Sequence, residues 1–211
     1  MGCRYLLQAP PRIDSNTVLV AALHGFSGNA EDMLRLTSLL VGPHQAVAAI
    51  EGPYGFFLGA GTEKVGYGWI TSRRPADSIR LHHDMVRHVL EEAGTELAIP
   101  PERRILLGFS QPVGLGYRFA EAHPAAVRGV VGLCGGLPGD WDDVHPGRIR
   151  PAVLHVARSQ DETYPPERTE QYPARLRLRC DDVEFHSLEG GHRFPSKAGP
   201  IWEKWLSRIL G

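Results

Sequence analysis

Apolar residues along the chain form short continuous runs, and stretches with helical spacing separate these runs. The runs in which nearly every position is apolar are TVLVAALH, AVAAI, RILLGF, GVVGLCG and PAVLHVA, with VEFHSL as a further short strand. Such runs are typical of strands that are covered on both faces of a sheet. The segments with an apolar stripe at helical spacing are EDMLRLTSLL, residues 79–93, QPVGLGYRFAEAH, RTEQYPARLRLR and IWEKWLSRIL.

Strands and helices therefore alternate almost throughout the chain. This order predicts an α/β fold with a mostly parallel central sheet and helices on both faces. A chain of 211 residues can bury one large core, so we expect a single domain over residues 1–211. Residues 52–77 have no sustained period and predict a long irregular loop. Pro173 is expected to interrupt the helical segment that contains it.

Charge and composition narrow the range of partners. The chain has 23 basic and 24 acidic residues and a formal charge of -1, which gives no reason to expect nucleic acid or an acidic membrane surface as a partner. No run approaches the ~20 apolar residues that span a bilayer, and the N-terminus lacks a secretory pattern, so we expect a cytoplasmic protein without stable membrane association. Met1 and Gly2 are interpreted as an ordinary N-terminus. The oligomeric state stays open, a homodimer being one alternative.

Four polar residues stand directly after predicted strands. They are His24, Ser110, Asp161 and His192. Because the carboxyl ends of parallel strands share one edge of the sheet, these side chains are expected to converge there. Each has an ordinary alternative, since a serine in this position can simply cap a helix and a loop aspartate or histidine can simply be solvated.

Ser110, Asp161 and His192 follow successive strands in the order that the α/β-hydrolase fold uses for its catalytic triad. A serine hydroxyl is a weak nucleophile, so it needs an imidazole to take its proton, and a carboxylate must orient that imidazole. Glu162 competes with Asp161 for the acid role. In this fold the oxyanion donors are the amide after the nucleophile, here Gln111, and an amide of an early loop, here Phe26.

Four segments together resemble the phospholipase/carboxylesterase family of α/β-hydrolases, which includes carboxylesterases and acyl-protein thioesterases. The segments are LHGFSGNAEDM, GFSQ, RSQDETYPPER and GGHRFP. The resemblance extends from about residue 17 to the terminal helix. It implies a serine hydrolase with the triad Ser110, Asp161 and His192, an oxyanion hole from Phe26 and Gln111, and no cofactor or metal. The expected partner is a small-molecule ester, and thioesters are included as substrates.

Pro112 departs from this family, which usually has GFSQG where this chain has GFSQP. Proline costs little hydrogen bonding in the first turn of a helix, but it disfavours the helical region for the preceding Gln111. We expect the serine to remain a nucleophile. Two alternatives stay open: an amidase or peptidase with the same triad, and a ligand-binding relative in which Pro112 has disabled the oxyanion hole.

The substrate pocket is predicted from residues near the same edge. His24 is expected to hold the oxyanion loop and to lie at the pocket, together with Phe57 and Trp69 from the irregular loop. Apolar walls are typical of small-ligand clefts, but these aromatic side chains could equally pack the loop onto the body. The spacing of the histidines in the helical segment 79–93 does not place a metal-binding pair on one face of the helix. We therefore expect them at the surface of the helix rather than in a metal site.

Overall fold

The structure is a computed structural model that describes residues 3–141 and 147–211, so Met1 and Gly2, interpreted above as an ordinary N-terminus, lie outside the described residues. It contains nine strands within these ranges. They are β1 (Tyr5–Gln8), β2 (Leu19–Leu23), β3 (Ala46–Ile50), β4 (Tyr54–Phe57), β5 (Val65–Gly68), β6 (Arg104–Phe109), β7 (Gly129–Leu133), β8 (Ala152–Arg158) and β9 (Val183–Leu188).

Seven of these strands form the central sheet, in the order β1-β3-β2-β6-β7-β8-β9. Strand β1 pairs antiparallel with β3, and the other neighbours pair in parallel. Every residue of β2, β3 and β7 is buried, as the continuous apolar runs predict. The predicted mostly parallel sheet is therefore confirmed.

Helices cover both faces of the sheet within the described residues. They are α1 (Ala30–Val41), α2 (Pro75–Glu96), α3 (Val113–Ala122), α4 (Pro166–Thr169), α5 (Tyr172–Arg179) and α6 (Gly199–Leu210). Alternate β2 residues enter two separate apolar clusters, Leu19 in the one that includes α2, α3 and α5 and Val20 in the one that includes α1 and α6. Pro173 lies in the first turn of α5, so the predicted interruption is confirmed. None of the described helices is both long and apolar enough to cross a bilayer.

The segment predicted as an irregular loop contains an antiparallel hairpin, formed by β4 and β5. The prediction was wrong because glycines conceal the strand pattern. A Cβ at Gly66 would lie 2.6 Å from the carbonyl oxygen of Ser27, so only glycine allows the hairpin to approach the loop after β2. Tyr67 completes this contact by accepting a backbone hydrogen bond from Ser27 at 2.9 Å and donating one to Gly28 at 3.0 Å.

The predicted surface position of the α2 histidines is wrong for His82. Its side chain is fully buried, and neither ring nitrogen has a hydrogen-bond partner among the described residues. The imidazole packs edge-on against Trp69, with ring centroids 5.6 Å apart. Burial lowers the pKa of His82 well below its ordinary value, so its ring is neutral. His83 is half-buried, and His88 is exposed as predicted.

Candidate active site

Ser110, His192 and Asp161 come together at the carboxyl edge of the sheet. Ser110 Oγ lies 2.9 Å from His192 Nε2, and His192 Nδ1 lies 2.8 Å from Asp161 Oδ2. Because an ionised carboxylate can only accept, Nδ1 carries the proton and Nε2 is free to accept the serine proton. The three side chains, far apart in the chain, thus form one hydrogen-bonded row.

Ser110 stands at a sharp corner between β6 and α3. Its φ of 63° lies in the left-handed region, which a residue other than glycine adopts only when its surroundings hold it there. Its amide donates to the Leu133 carbonyl of β7 at 2.8 Å. A Cβ at Gly135 would collide with Val113 and lie 2.5 Å from the Ser110 carbonyl oxygen. The corner is therefore closely packed from the β7 side.

Pro112 lies just before α3, with φ of -78° and ψ of -2°. Its carbonyl accepts the first helical hydrogen bond, from Gly116 at 2.8 Å, so the proline does not prevent the helix from starting. A Cβ at Gly108 would lie 3.3 Å from the Val113 amide nitrogen. In this chain the glycine that allows strand and helix to approach at the corner is in the strand, and the position after Gln111 tolerates a ring.

The Asp161 carboxylate is held by the backbone of its own loop. Its Oδ1 accepts hydrogen bonds from the amides of Thr163 and Tyr164, both at 2.8 Å, which leaves Oδ2 for the imidazole. Glu162, the competing acid, is exposed, and its carboxylate accepts from the backbone amide of His192 at 3.0 Å. Backbone amides, its own and that of His192, lower the Glu162 pKa. Asp161 therefore contacts the ring and Glu162 contacts the main chain.

The loop after β2 is held by His24, which is 2% exposed. The Gly52 amide donates to His24 Nε2 at 2.9 Å, so the proton is on Nδ1, which donates to the Gly25 carbonyl at 2.7 Å. Burial lowers the His24 pKa, and the hydrogen bond to Gly25 acts in the opposite direction. A neutral imidazole thus joins this loop to the residue after β3, in keeping with its expected structural task.

The amides of Phe26 and Gln111 donate no hydrogen bond to any acceptor in residues 3–141 and 147–211. Gly25 brings the two segments together, because a Cβ there would lie 3.3 Å from the Cβ of Ser110. The side chain of Gln111 is engaged, since its Oε1 accepts from the backbone amide of Trp69 at 2.8 Å. Two unpaired backbone donors beside a serine are the arrangement that an oxyanion needs.

The predicted pocket residues divide into two groups. Phe57 is 71% exposed, whereas His24 and Trp69 are 2% and 0% exposed, so the prediction that these two line the pocket is wrong. Trp69 lies in the interior because its indole N–H donates to the buried His24 carbonyl at 2.8 Å. The exposed aromatic side chain of the loop after β2 is Phe26, which is 60% exposed and stacks on Phe56 with ring centroids 4.9 Å apart.

Tyr164 is a site residue that the sequence analysis did not identify. Its ring lies 5.8 Å from the His192 ring, and the Arg168 guanidinium lies 5.5 Å from its centroid. Burial raises the pKa of the Tyr164 phenol above its ordinary value. The phenol is therefore protonated at neutral pH. Its position between Asp161 and the proline of the same loop is the signal that could have pointed to it.

Known proteins support this fold assignment. No family model matches the chain. The curated protein "Putative esterase NocK" of Nocardia uniformis subsp. tsuyamanensis is 28% identical over 158 residues, which is 74% of this chain and 43% of that protein. The chain thus spans less than half the length of this relative.

Solved esterases have the same architecture at low sequence identity. The Bacillus cereus carboxylesterase superposes with a TM-score of 0.74 at 16% identity, covering 98% of this chain and 94% of that one. Esterase PE8 gives 0.77 at 18%, covering 99% and 100%, and the Mesorhizobium loti carboxylesterase gives 0.71 at 21%, covering 92% and 90%. The chain has the α/β-hydrolase fold.

Proposed function

We propose that this chain, an α/β-hydrolase by fold, is a serine hydrolase that cleaves carboxylic esters through an acyl-enzyme on Ser110. One observation carries the proposal: the unbroken row of hydrogen bonds from the Ser110 hydroxyl through the His192 ring to the Asp161 carboxylate. A histidine that was merely on the surface would have no reason to contact both a serine and an aspartate, and a serine that only capped a helix would have no reason to contact a histidine. Thioesters belong to the same proposal, because their cleavage uses the same acyl-enzyme.

In the first half of the reaction, Ser110 Oγ attacks the ester carbonyl carbon while its proton moves to His192 Nε2. Asp161 stabilises the imidazolium that forms. The carbonyl oxygen becomes negative and is bound by the Phe26 and Gln111 amides, each of which supplies ~3 kcal/mol by analogy with measured oxyanion donors. The imidazolium then gives its proton to the leaving oxygen as the carbon–oxygen bond breaks, and the alcohol departs.

In the second half, a water molecule replaces the departed alcohol. His192 Nε2 takes a proton from this water, which attacks the acyl carbon, and the same proton returns to Ser110 Oγ as the acid leaves. Serine, histidine and both amides then return to their starting states.

The surface next to the oxyanion loop favours small or flexible acyl groups. Phe26 is exposed there, and Phe56 stacks on it. Exposed aromatic faces bind hydrocarbon without requiring a fixed chain length. A substrate with a few apolar carbons beside its carbonyl fits this surface.

A panel of p-nitrophenyl esters of increasing acyl length tests the proposal, with the wild-type protein compared with Ser110→Ala. Ser207→Ala is the matched control, since this exposed serine lies on the outer helix α6. We expect turnover with wild type and control, and loss of at least about a thousandfold in Ser110→Ala. Turnover that survives Ser110→Ala would contradict the proposal.

Two further arms of the panel separate the rival functions. Matched thioesters measure the thioesterase activity, and p-nitroanilides measure an amidase with the same triad. The account predicts that ester turnover exceeds anilide turnover by at least about a hundredfold, because an amine leaves less readily than an alcohol. Anilide turnover equal to ester turnover would identify an amidase, and binding of the esters without turnover would identify a ligand-binding relative.

A further inference from the structure

Trp69 is bonded to both segments that supply the free amides of the site. Its indole N–H donates to the His24 carbonyl at 2.8 Å, and its backbone N–H donates to Gln111 Oε1 at 2.8 Å. His24 begins the loop that carries Phe26, and Gln111 follows the serine. The two hydrogen bonds therefore span 45 and 42 residues of sequence and end on two separate segments of the site.

We propose that Trp69 is a positioning residue that holds the two oxyanion donors, the amides of Phe26 and Gln111, in register with each other. This inference rests on the proposed esterase function and extends it. Trp69 touches neither substrate nor Ser110 and acts only through its two hydrogen-bonded neighbours. An oxyanion hole formed by two separate loops needs such a link, because the gain from a preorganised donor depends on its fixed direction.

Neither donor lies inside a helix or strand that would fix it. Phe26 is in the turn between β2 and α1, and Gln111 is in the turn before α3. Pro112 adds a bias against the helical region at Gln111, so its amide needs a restraint from elsewhere. The hydrogen bond from Trp69 to the Gln111 side chain supplies that restraint. This hydrogen bond explains how the chain tolerates proline at position 112, where glycine is usual in the family that it resembles.

Rigid packing fixes Trp69 itself. The side chain is fully buried, and its ring lies 5.2 Å from the His24 ring and 5.6 Å from the His82 ring. Burial keeps both imidazoles neutral, because the pKa of each is lowered. The indole thus packs against two uncharged rings that fix its orientation. Its hydrogen bond to the His24 carbonyl then restrains the loop after β2.

Trp69→Phe removes the indole N–H and keeps an aromatic ring. Trp205→Phe is the matched control, because this indole is equally buried but its N–H has no partner among the described residues. Ester turnover should separate the two variants. We expect kcat to fall at least about tenfold in Trp69→Phe with KM changed by less than about threefold, and both values to stay within about twofold in Trp205→Phe. Urea unfolding of each variant shows that the folded fractions are equal in the assay.

Gln111→Met is a second variant, and unlike Trp69→Phe it does not change a side chain of the buried core. It removes the Oε1 acceptor and keeps the backbone amide and the side-chain length. We expect a similar fall in kcat. In the double variant of Trp69→Phe and Gln111→Met, the fold-loss of kcat should be smaller than the product of the two single losses, because both changes disturb the same alignment of the two oxyanion donors.

The outcomes distinguish this inference from the proposed function. If wild type has Ser110-dependent turnover and kcat is unchanged in both Trp69→Phe and Gln111→Met, the positioning role is overturned alone. If Trp69→Phe loses no more kcat than Trp205→Phe, the same conclusion holds. If wild type has no Ser110-dependent turnover, the proposed function and this inference are both overturned.

Discussion

The two sides of the candidate site are built differently. On the triad side, Ser110, His192 and Asp161 touch one another through their side chains. On the oxyanion side, the chemistry lies in the backbone amides of Phe26 and Gln111, and buried neighbours hold their segments from behind. The triad side thus depends on three side chains, whereas the oxyanion side depends on packing that extends into the core.

This difference determines what a sequence can reveal. A serine, an aspartate and a histidine after successive strands can be recognised by residue type, because their chemistry is in their side chains. Backbone donors have no residue type, and the neighbours that hold them are ordinary core residues. The sequence therefore predicts the triad side in detail and the oxyanion side only through the fold.

Asp161→Asn tests the triad side with the largest expected effect. An amide in place of the carboxylate favours the wrong tautomer of His192, and we expect kcat/KM for esters to fall about 10⁴-fold. Glu162→Gln is the matched control, since this neighbouring carboxylate accepts from backbone amides and does not contact the His192 ring, and it should stay within about threefold. Equal losses in the two variants would show that the assignment of the acid is wrong.

Gly135→Ala tests the packing beneath the corner that both sides share. A Cβ at this position collides with Val113 and with the Ser110 carbonyl, and we expect a loss of about 3 kcal/mol in the free energy of unfolding together with lower ester turnover. Gly139→Ala is the control, because no atom of residues 3–141 or 147–211 lies within 4 Å of its added Cβ. Urea unfolding measures both. Equal stability in the two variants would contradict the close packing at the corner.

Histidines whose pKa is lowered by burial predict an acid-sensitive fold. Burial lowers the pKa of His83 to about 4 and of His155 to about 3, and it lowers that of His82 well below its ordinary value. Below about pH 6.5 the unfolded chain binds more protons than the folded one, so this stability is present above that pH and is lost as the pH falls. Each fully buried histidine contributes up to about 1.4 kcal/mol per pH unit in that window.

His82→Phe should reduce this pH dependence, because it removes a group that only the unfolded chain can protonate. Urea midpoints at about pH 7.5 and pH 5.5 measure the change. His88→Gln is the control, since this exposed histidine pairs with Glu92 at the surface. A pH dependence in His82→Phe as steep as that of the wild type would contradict the account.

Pro112→Gly has the smallest expected effect and bears most directly on the link between the two sides. With the Gln111 side chain held by Trp69, restoring glycine should leave kcat unchanged or raise it up to about threefold. Pro124→Gly, at an exposed turn after α3, controls for the entropy that any proline removes from the unfolded chain. A large loss of turnover in Pro112→Gly alone would mean that the corner requires the proline.

The central sheet and the strand-end residues were predictable because continuous apolar runs are a strong signal. The β4–β5 hairpin was not, since Gly55, Gly66 and Gly68 interrupt any period and their close contacts exist only in the folded chain. His82 was misplaced because a polar residue type favours the surface, although here its ring fills the space against Trp69. The two hydrogen bonds of Trp69 depend on tertiary contacts that no local pattern contains.

Labelling with a fluorophosphonate probe, followed by mass measurement of the intact protein and of its peptides, tests the central claim most directly. The probe reacts only with a serine that an imidazole activates, and its phosphoryl oxygen needs the oxyanion donors. The account predicts one adduct per chain on the peptide that contains Ser110, and none in Ser110→Ala. An unlabelled wild-type protein, or an adduct on another residue, would contradict it.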